Sequence, residues 1–234
     1  MDYIDFVAGQ TGENFWFKGK RELIDILMRN ATGNDLKILN IGAGTGADLD
    51  ILHKYGDIYV IDTNQRALNL IPENMCFEKK ECDATKLDYP ENFFDIVCSF
   101  DVFEHIENDF KVVSEISRVL KKGGFLFFTV PAFQILFSAH DKAVLHFRRY
   151  NKKSLHYLLR TFQDINMSFW NSSLFFPLSI LRILKKKSKP QTDYFNLPKL
   201  LEQFFLRLLR IENYLIAKGF KIPLGLSLVG SCRK

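Results

Sequence analysis

Leu36-Lys37-Ile38-Leu39-Asn40-Ile41-Gly42-Ala43-Gly44-Thr45-Gly46 is a short, mostly apolar run that breaks into three alternating glycines. A run of this length, closed by glycine, suits a strand buried on both faces of a parallel sheet. Residues without β-carbons let a ligand approach the backbone, and the helix expected after them would offer free N–H groups. The next apolar run, Asp57-Ile58-Tyr59-Val60-Ile61-Asp62, reads as a second strand closed by a carboxylate, and Gln65 to Leu70 reads as a helix. Together they make a βαβ unit.

The alternation continues. Cys76-Phe77 opens a more polar third strand ending near Asp83, and Phe94-Asp95-Ile96-Val97-Cys98-Ser99-Phe100 is a strong fourth. From Asp109 to Lys122 the residues Val112, Val113, Ile116, Val119 and Leu120 recur at helical spacing, with Gly123-Gly124 expected as the C-terminal cap. Phe125 to Val130 is a fifth strand stopped by Pro131. Repeated βα alternation predicts a doubly wound α/β sheet. Beyond it, a helix is expected over Lys152 to Phe162, a strand over Asn166 to Trp170 and a last strand over Leu224 to Cys232. The excursion 174–222 carries a helical stripe of Leu200, Leu201, Phe204, Phe205, Leu208, Leu209 and Ile211 and reads as an insertion, with Lys189-Pro190-Gln191-Thr192-Asp193 as a linker.

Gly42, Gly44 and Ala47 also fit the dinucleotide fingerprint G-x-G-x-x-A, so the loop alone does not choose between a nicotinamide and an adenosyl cofactor. Asp62, twenty residues after Gly42, is placed to accept from two ribose hydroxyls of either. A further carboxylate, Asp83 in Glu81-Cys82-Asp83-Ala84, is placed to accept from an adenine amino group or simply to open a turn.

At this point the chain resembles the class I S-adenosylmethionine-dependent methyltransferases, in particular those that modify small molecules. Leu39–Gly46 is similar to their first motif, Val60-Ile61-Asp62 to their second and Cys82-Asp83-Ala84 to their third. The likeness runs on through Phe94–Phe100, Val102-Phe103-Glu104-His105-Ile106 and Val119-Leu120-Lys121-Lys122-Gly123-Gly124. It implies a Rossmann-like seven-stranded sheet with the last strand antiparallel, and S-adenosyl-L-methionine as cofactor. It also implies cofactor contacts at Gly42, Gly44, Asp62, Asp83, the Ala84 backbone and Phe100, and gives Glu104-His105 a structural or pocket-wall role. The segment Glu13 to Arg21 is similar to the cap of these enzymes, which implies either Phe15 and Trp16 over the cofactor with Lys18 or Arg21 near its carboxylate, or plain packing of Phe15 and Trp16. The whole chain then forms one methyltransferase domain: cap helices 1–35, cofactor-binding core 36–131, acceptor side 132–173, basic helical insertion 174–222 and final strand 223–234.

Composition adds bounds. The 234 residues are 47% apolar and 25% charged, ordinary for a globular chain with a full core. Cys76, Cys82, Cys98 and Cys232 form no C-x-x-C pair, so they read as reduced core thiols and no metal site is expected from them. Asp2 and Asp5 stand where a signal peptide would carry positive charge, so the expected location is cytoplasmic. Much of the net charge of +5 gathers at Arg182, Lys185, Lys186, Lys187 and Lys189, just after the apolar stretch 174–181. That pairing is too short to span a bilayer and suits contact of 174–189 with an anionic membrane surface, a lid over a greasy acceptor, or a homodimer contact. Nucleic acid is not expected: no Pro-Pro-aromatic motif follows Phe100, and no basic stripe interleaves with aromatics.

The acceptor side is His140-Asp141-Lys142-Ala143-Val144-Leu145-His146-Phe147-Arg148-Arg149-Tyr150, at the carboxyl edge of the sheet. His140 beside Asp141, and His146, are the candidate catalytic bases, and Arg148, Arg149 and Tyr150 the candidate substrate-binding residues; the equal alternative is a solvated loop with an ordinary Arg/Tyr anchor. The reading is methyl transfer, to oxygen on a small-molecule, saccharide or lipid-linked acceptor. The alternatives are a nicotinamide-dependent oxidoreductase and a non-catalytic cofactor-binding protein. Tyr150 and Lys153 stand three apart where the Tyr-x-x-x-Lys pair of short-chain dehydrogenases needs four, and the glycine loop and Asp62 are intact.

Overall fold

The computed structural model describes residues 6–7, 12–31, 33, 35–190 and 197–234. Its strands are β1 (Leu36–Ile41), β2 (Gly56–Asp62), β3 (Glu78–Glu81), β4 (Phe94–Phe100), β5 (Leu120–Pro131), β6 (Gln163–Trp170) and β7 (Ser227–Arg233). They form one seven-stranded sheet in the order β3-β2-β1-β4-β5-β7-β6. β1 to β5 pair in parallel, while β7 runs antiparallel to both β5 and β6. This is the Rossmann-like arrangement expected above. The strand order reverses between β1 and β4, which is where open α/β sheets bind ligands.

The helices are α1 (Phe15–Met28), α2 (Leu49–Leu52), α3 (Gln65–Leu68), α4 (Asp109–Val119), α5 (Ala139–Ala143), α6 (Lys152–Leu158), α7 (Phe175–Leu184) and α8 (Lys199–Ala217). Because β1, β2, β4 and β5 are apolar on both faces, each face builds a core. Leu39, Ile41, Val97, Leu126 and Phe128 pack with Val112, Ile116 and Leu155 on one side. Ile38, Val60, Ile96, Cys98 and Phe127 pack with Ile24, Met28 and Leu52 on the other.

The insertion is tied into this body. Gly19 of α1 lies against Leu209 of α8 so closely that a β-carbon would stand 2.6 Å from Leu209 Cδ1. The Trp170 indole donates to Asn213 Oδ1 at 2.9 Å, and Asn213 Nδ2 donates to the Gly19 carbonyl at 2.9 Å. Glu202 Oε2 accepts from the Phe15 N–H at 3.0 Å, at the start of α1 where intrahelical partners are lacking. α1 and α8 therefore form one pair over the end of the sheet.

Several boundaries differ from the sequence expectation. After the glycine loop the chain makes turns and a single helical turn, α2, instead of a full helix. Gly123 and Gly124 do not cap α4, which ends at Val119; they lie inside β5. Gly123 adopts φ 77°, and a β-carbon on Gly124 would stand 2.8 Å from the Asp95 carbonyl oxygen, so the pair serves the irregular β4–β5 register. The third strand is shorter than expected, α6 stops at Leu158, and the last strand starts at Ser227. Of the expected linker, Gln191, Thr192 and Asp193 lie outside the described residues, as does the acidic segment Met1–Asp5.

Candidate active site

A cavity of about 1070 Å³ opens at the carboxyl ends of β1, β2 and β4. Its floor is the glycine loop. Gly42 (φ 65°) and Gly44 (φ 53°) hold left-handed conformations that disfavour a β-carbon. At Gly42 that atom would also meet Val102 Cγ2 at 2.6 Å. Asp62, at the end of β2, is fixed on both oxygens: Oδ2 accepts from Gly44 N at 2.8 Å and Oδ1 from Asn64 N at 2.8 Å. Each oxygen keeps a second lone pair, the set that vicinal ribose hydroxyls need. Asp83 Oδ1 accepts from Thr85 N at 2.8 Å, so this carboxylate does open a turn while also lining the cavity beside Ala84. Phe100, at the end of β4, lines the same wall. A glycine cradle, a ribose-type carboxylate and a flat apolar wall fit an adenosyl cofactor.

The cap segment contributes Phe15, Trp16 and Phe17, and also Lys20. Lys18 and Arg21, expected near a cofactor carboxylate, pair instead with Glu13, and Arg21 also donates to the Gly12 carbonyl. The cation that the cap brings to the cavity is Lys20, whose Nζ lies 2.7 Å from Asp101 Oδ2 and 5.2 Å from the centroid of the Trp16 ring. Burial opposes the Lys20 charge, but Asp101 and Asp48 raise its affinity for the proton above that of an ordinary lysine. Burial likewise opposes the Asp101 charge, and Lys20 holds its carboxyl below the usual carboxylate range. Asp101 takes φ 57° directly after β4; Leu145 (φ 61°) and Asn171 (φ 60°), two further non-glycine residues in this region, line the same cavity. Sequence reasoning passed over Lys20 because the α1 lysines differ only in helical phase, and phase becomes informative once the buried face of α1 is known.

At the other end of the cavity lie Glu104, His105, His140, His146 and Arg149. The Phe147 N–H donates to the Glu104 carbonyl at 2.7 Å, which ties the acceptor-side loop to the 3-10 turn Phe103–His105. Asp141 is fully buried and carries the local network. Its Oδ1 lies 3.0 Å from His146 Nδ1 and accepts from Arg149 Nε at 2.6 Å, and its Oδ2 accepts from Ser138 N at 2.9 Å. Burial would raise the Asp141 carboxyl, but the His146 hydrogen bond and the Arg149 charge hold it down to about 2. An ionised Asp141 makes His146 Nδ1 the donor, so Nε2 is the nitrogen left with a lone pair.

This corrects the expected pairing: the imidazole that Asp141 orients is His146, five residues on, and not the adjacent His140. Burial pushes His140 down to about 4 against the opposing pull of Asp141, so it is a neutral imidazole at pH 7. Arg148 and Tyr150 are not brought to the cavity. Arg148 pairs with Asp109 at 2.9 Å and donates to the Glu107 carbonyl, while the buried Tyr150 hydroxyl donates to Asp109 Oδ2 at 2.8 Å. Both are anchors between the loop and α4. Arg149 reaches the cavity wall but spends its Nε on Asp141 and its Nη1 on the Ala132 carbonyl. Glu104, which sequence reading left as structural, has no exposed surface, and neither carboxylate oxygen has a hydrogen-bond partner. Burial, and next the Asp101 charge, push its carboxyl well above the usual range.

The family described as "Methyltransferase domain" matches residues 39–128, the segment holding the glycine loop, Asp62, Asp83 and Phe100. Over this segment, less than half of its length, the chain is similar to methyltransferase domains. A protein of Mycolicibacterium smegmatis named "Probable S-adenosylmethionine-dependent methyltransferase" is 28% identical over 165 residues, 66% of this chain and 61% of that protein. The phosphatidylethanolamine N-methyltransferase of Cereibacter sphaeroides is 30% identical over 102 residues, 41% of this chain and 49% of that protein. A ubiquinone/menaquinone biosynthesis C-methyltransferase of Chromobacterium violaceum is 33% identical over 101 residues, 39% of this chain and 41% of that protein. The chain thus spans about three-fifths or less of the length of these curated relatives. Among solved structures, a SAM-dependent methyltransferase from Archaeoglobus fulgidus shares the fold with TM-score 0.59 at 19% identity, covering 94% of this chain and 99% of that one. So does a Haemonchus contortus phosphoethanolamine-type N-methyltransferase solved with S-adenosylhomocysteine, with TM-score 0.60 at 18% identity, covering 91% of this chain and 52% of that one.

Lys20→Met removes one partner of a buried ion pair and leaves Asp101 against an apolar side chain. The expected cost is about 3 kcal/mol of folding stability, read as a lowered urea midpoint with an unchanged slope.

Proposed function

We propose that the chain transfers the methyl group of S-adenosylmethionine to an oxygen of an amphiphilic small molecule, with a lipid-linked or saccharide acceptor as the class. The observation that carries this reading is the continuity of one cavity. It runs from the glycine loop, Asp62 and Asp83, past Lys20 and Asp101, to His146 and on to Leu174, Pro177, Leu178 and Phe205. At about 1070 Å³ it lies at the upper end of small-molecule sites, which leaves room for an acceptor beside a cofactor.

The cofactor brings an electrophilic methyl group on a sulfonium centre; what remains for the protein is to place the acceptor in line and to exclude water. Gly42, Gly44, Asp62, Asp83, Ala84 and Phe100 are the residues proposed to hold the adenosyl part, with Lys20 nearest to serve a carboxylate. His146, oriented by Asp141, is the proposed base for an acceptor hydroxyl, taking its proton at Nε2. His140, neutral and buried at the same end, is proposed to shape the pocket or donate a hydrogen bond. Two relatives whose printed names concern phosphatidylethanolamine and ubiquinone or menaquinone support a greasy acceptor, while differing from oxygen in the atom methylated.

The insertion supports the same class of acceptor. One side of α7 lends Pro177, Leu178 and Arg182 to the cavity, while Phe176, Ile180, Ile183 and Leu184 are exposed. Lys185, Lys186, Lys187 and Lys189 follow directly. Among the described residues no helix is long and apolar enough to cross a membrane. An apolar helix face bordered by lysines suits shallow attachment to an anionic surface, and the opposite side of this helix lines the cavity.

With methyl-labelled cofactor and cell extract, label is expected to partition into the organic phase. His146→Ala should lower that transfer about a hundredfold with cofactor binding retained; label confined to small water-soluble products would remove the greasy-acceptor reading. The purified chain should also sediment with anionic vesicles and not with zwitterionic ones, and Ile183→Asp with Leu184→Asp should abolish this. Failure to sediment, accompanied by a dimer in solution that the same double variant dissociates, would assign the face to a second copy.

A further inference from the structure

Glu104, His105 and His146 have not been given a joint role above, yet they converge. One carboxylate oxygen of Glu104 and one ring nitrogen of each histidine all lie within 4.8 Å of one another. The two imidazole rings stand edge to face, with centroids 4.5 Å apart. The convergence crosses the fold: Glu104 and His105 come from the turn after β4, His146 from the loop after α5, and the Phe147-to-Glu104 backbone hydrogen bond joins them.

We infer that these three side chains bind a divalent first-row transition-metal ion at the acceptor end of the cavity. Four observations support this. The donor set, two imidazoles and one carboxylate, is an N/O set suited to Zn²⁺ or Fe²⁺. Glu104 is completely buried and lines the cavity with both oxygens unpartnered, a large cost that a coordinated cation removes. His146 is already oriented as metal-binding histidines are, its Nδ1 held by the Asp141 carboxylate, and Asp141 is braced in turn by Arg149 and Ser138. The spacing also suits an ion: metal–ligand bonds of about 2.1 Å place tetrahedral donors about 3.4 Å apart, so side-chain rotation of about an ångström closes the set.

Three protein ligands leave a coordination position open, and all three residues line the cavity. An acceptor hydroxyl bound there would release its proton to water. Its oxygen lone pair would then form the O–CH₃ bond as the C–S bond breaks, with that electron pair returning to sulfur. This consequence rests on the methyltransferase reading of the site, with His146 acting as a ligand where the metal-free protein would use it as a base. Ion binding itself does not depend on that reading.

The test is titration of the chelator-treated full chain with Zn²⁺ by calorimetry and with Co²⁺ by visible absorption, without cofactor or acceptor. One ion per chain is expected. Glu104→Gln and His105→Ala should each weaken it at least about tenfold, with His156→Ala, on α6 away from the cavity, as the unaffected control. Anomalous diffraction from Co²⁺-soaked crystals of the unaltered chain locates the ion even if a variant fails to fold. Binding well below one ion per chain, an ion located elsewhere, or folded variants that bind as tightly as the parent would overturn the inference. An ion at the three residues without S-adenosylmethionine binding would keep the metal site and remove only its assignment to methyl transfer.

Discussion

The contact between Gly42 and Val102 is the constraint on which the site depends. The strand order reverses between β1 and β4, so the chain leaves the sheet in opposite directions from two neighbouring carboxyl ends. Only a residue without a β-carbon lets the segment after β4 lie this close to the loop after β1. That approach packs Val102 against the glycine loop, and Asp62 closes the arrangement by taking the Gly44 and Asn64 N–H groups. The residues proposed for cofactor and for acceptor thus share one cavity because two loops share one crevice.

The acceptor end is built by longer connections. The loop after β5 returns through Phe147 to Glu104, and Asp141 collects His146, Arg149 and Ser138 at a buried carboxylate. α8 and α1 clasp each other through Gly19, Leu209 and Asn213, and Trp170 joins them to the end of β6. Glu212 of α8 also accepts from Ser172 and Ser173 just ahead of α7, whose Phe176, Ile180, Ile183 and Leu184 stay exposed. On the proposed reading, attraction of the lysine cluster to an anionic surface and entry of an amphiphile beside α7 would be two results of one placement.

Much of this was legible in the sequence because it rests on local chemistry. Parallel strands buried on both faces must be continuously apolar, and a loop that meets a ligand through its backbone must be rich in glycine; hence the sheet and the Gly42, Gly44 and Asp62 set. What was not legible depends on side-chain direction across long separations. Adjacency suggested His140 with Asp141, but His146, five residues on and past the end of α5, is the residue that folds back onto the carboxylate. Arg148 and Tyr150 read equally as a substrate clamp or as an anchor, and only Asp109 on α4, which takes both, decides for the anchor. Gly123-Gly124 resembled a cap because glycine serves strand irregularities and helix ends equally well. Lys20 was one lysine among several, and Glu104 one half of a motif whose buried, unpartnered state no spacing reveals.

The central claim is that the crevice between β1 and β4 binds the adenosyl cofactor of methyl transfer through Asp62. The most direct measurement is calorimetric titration of the full chain with S-adenosylhomocysteine and, separately, with NADH, repeated on Asp62→Ala. The account predicts one adenosyl ligand per chain, no NADH binding, and at least about a tenfold loss of affinity in the variant, since two hydrogen bonds to a charged acceptor are removed. Binding of NADH in place of the adenosyl ligand, or full affinity in a folded Asp62→Ala variant, would contradict it.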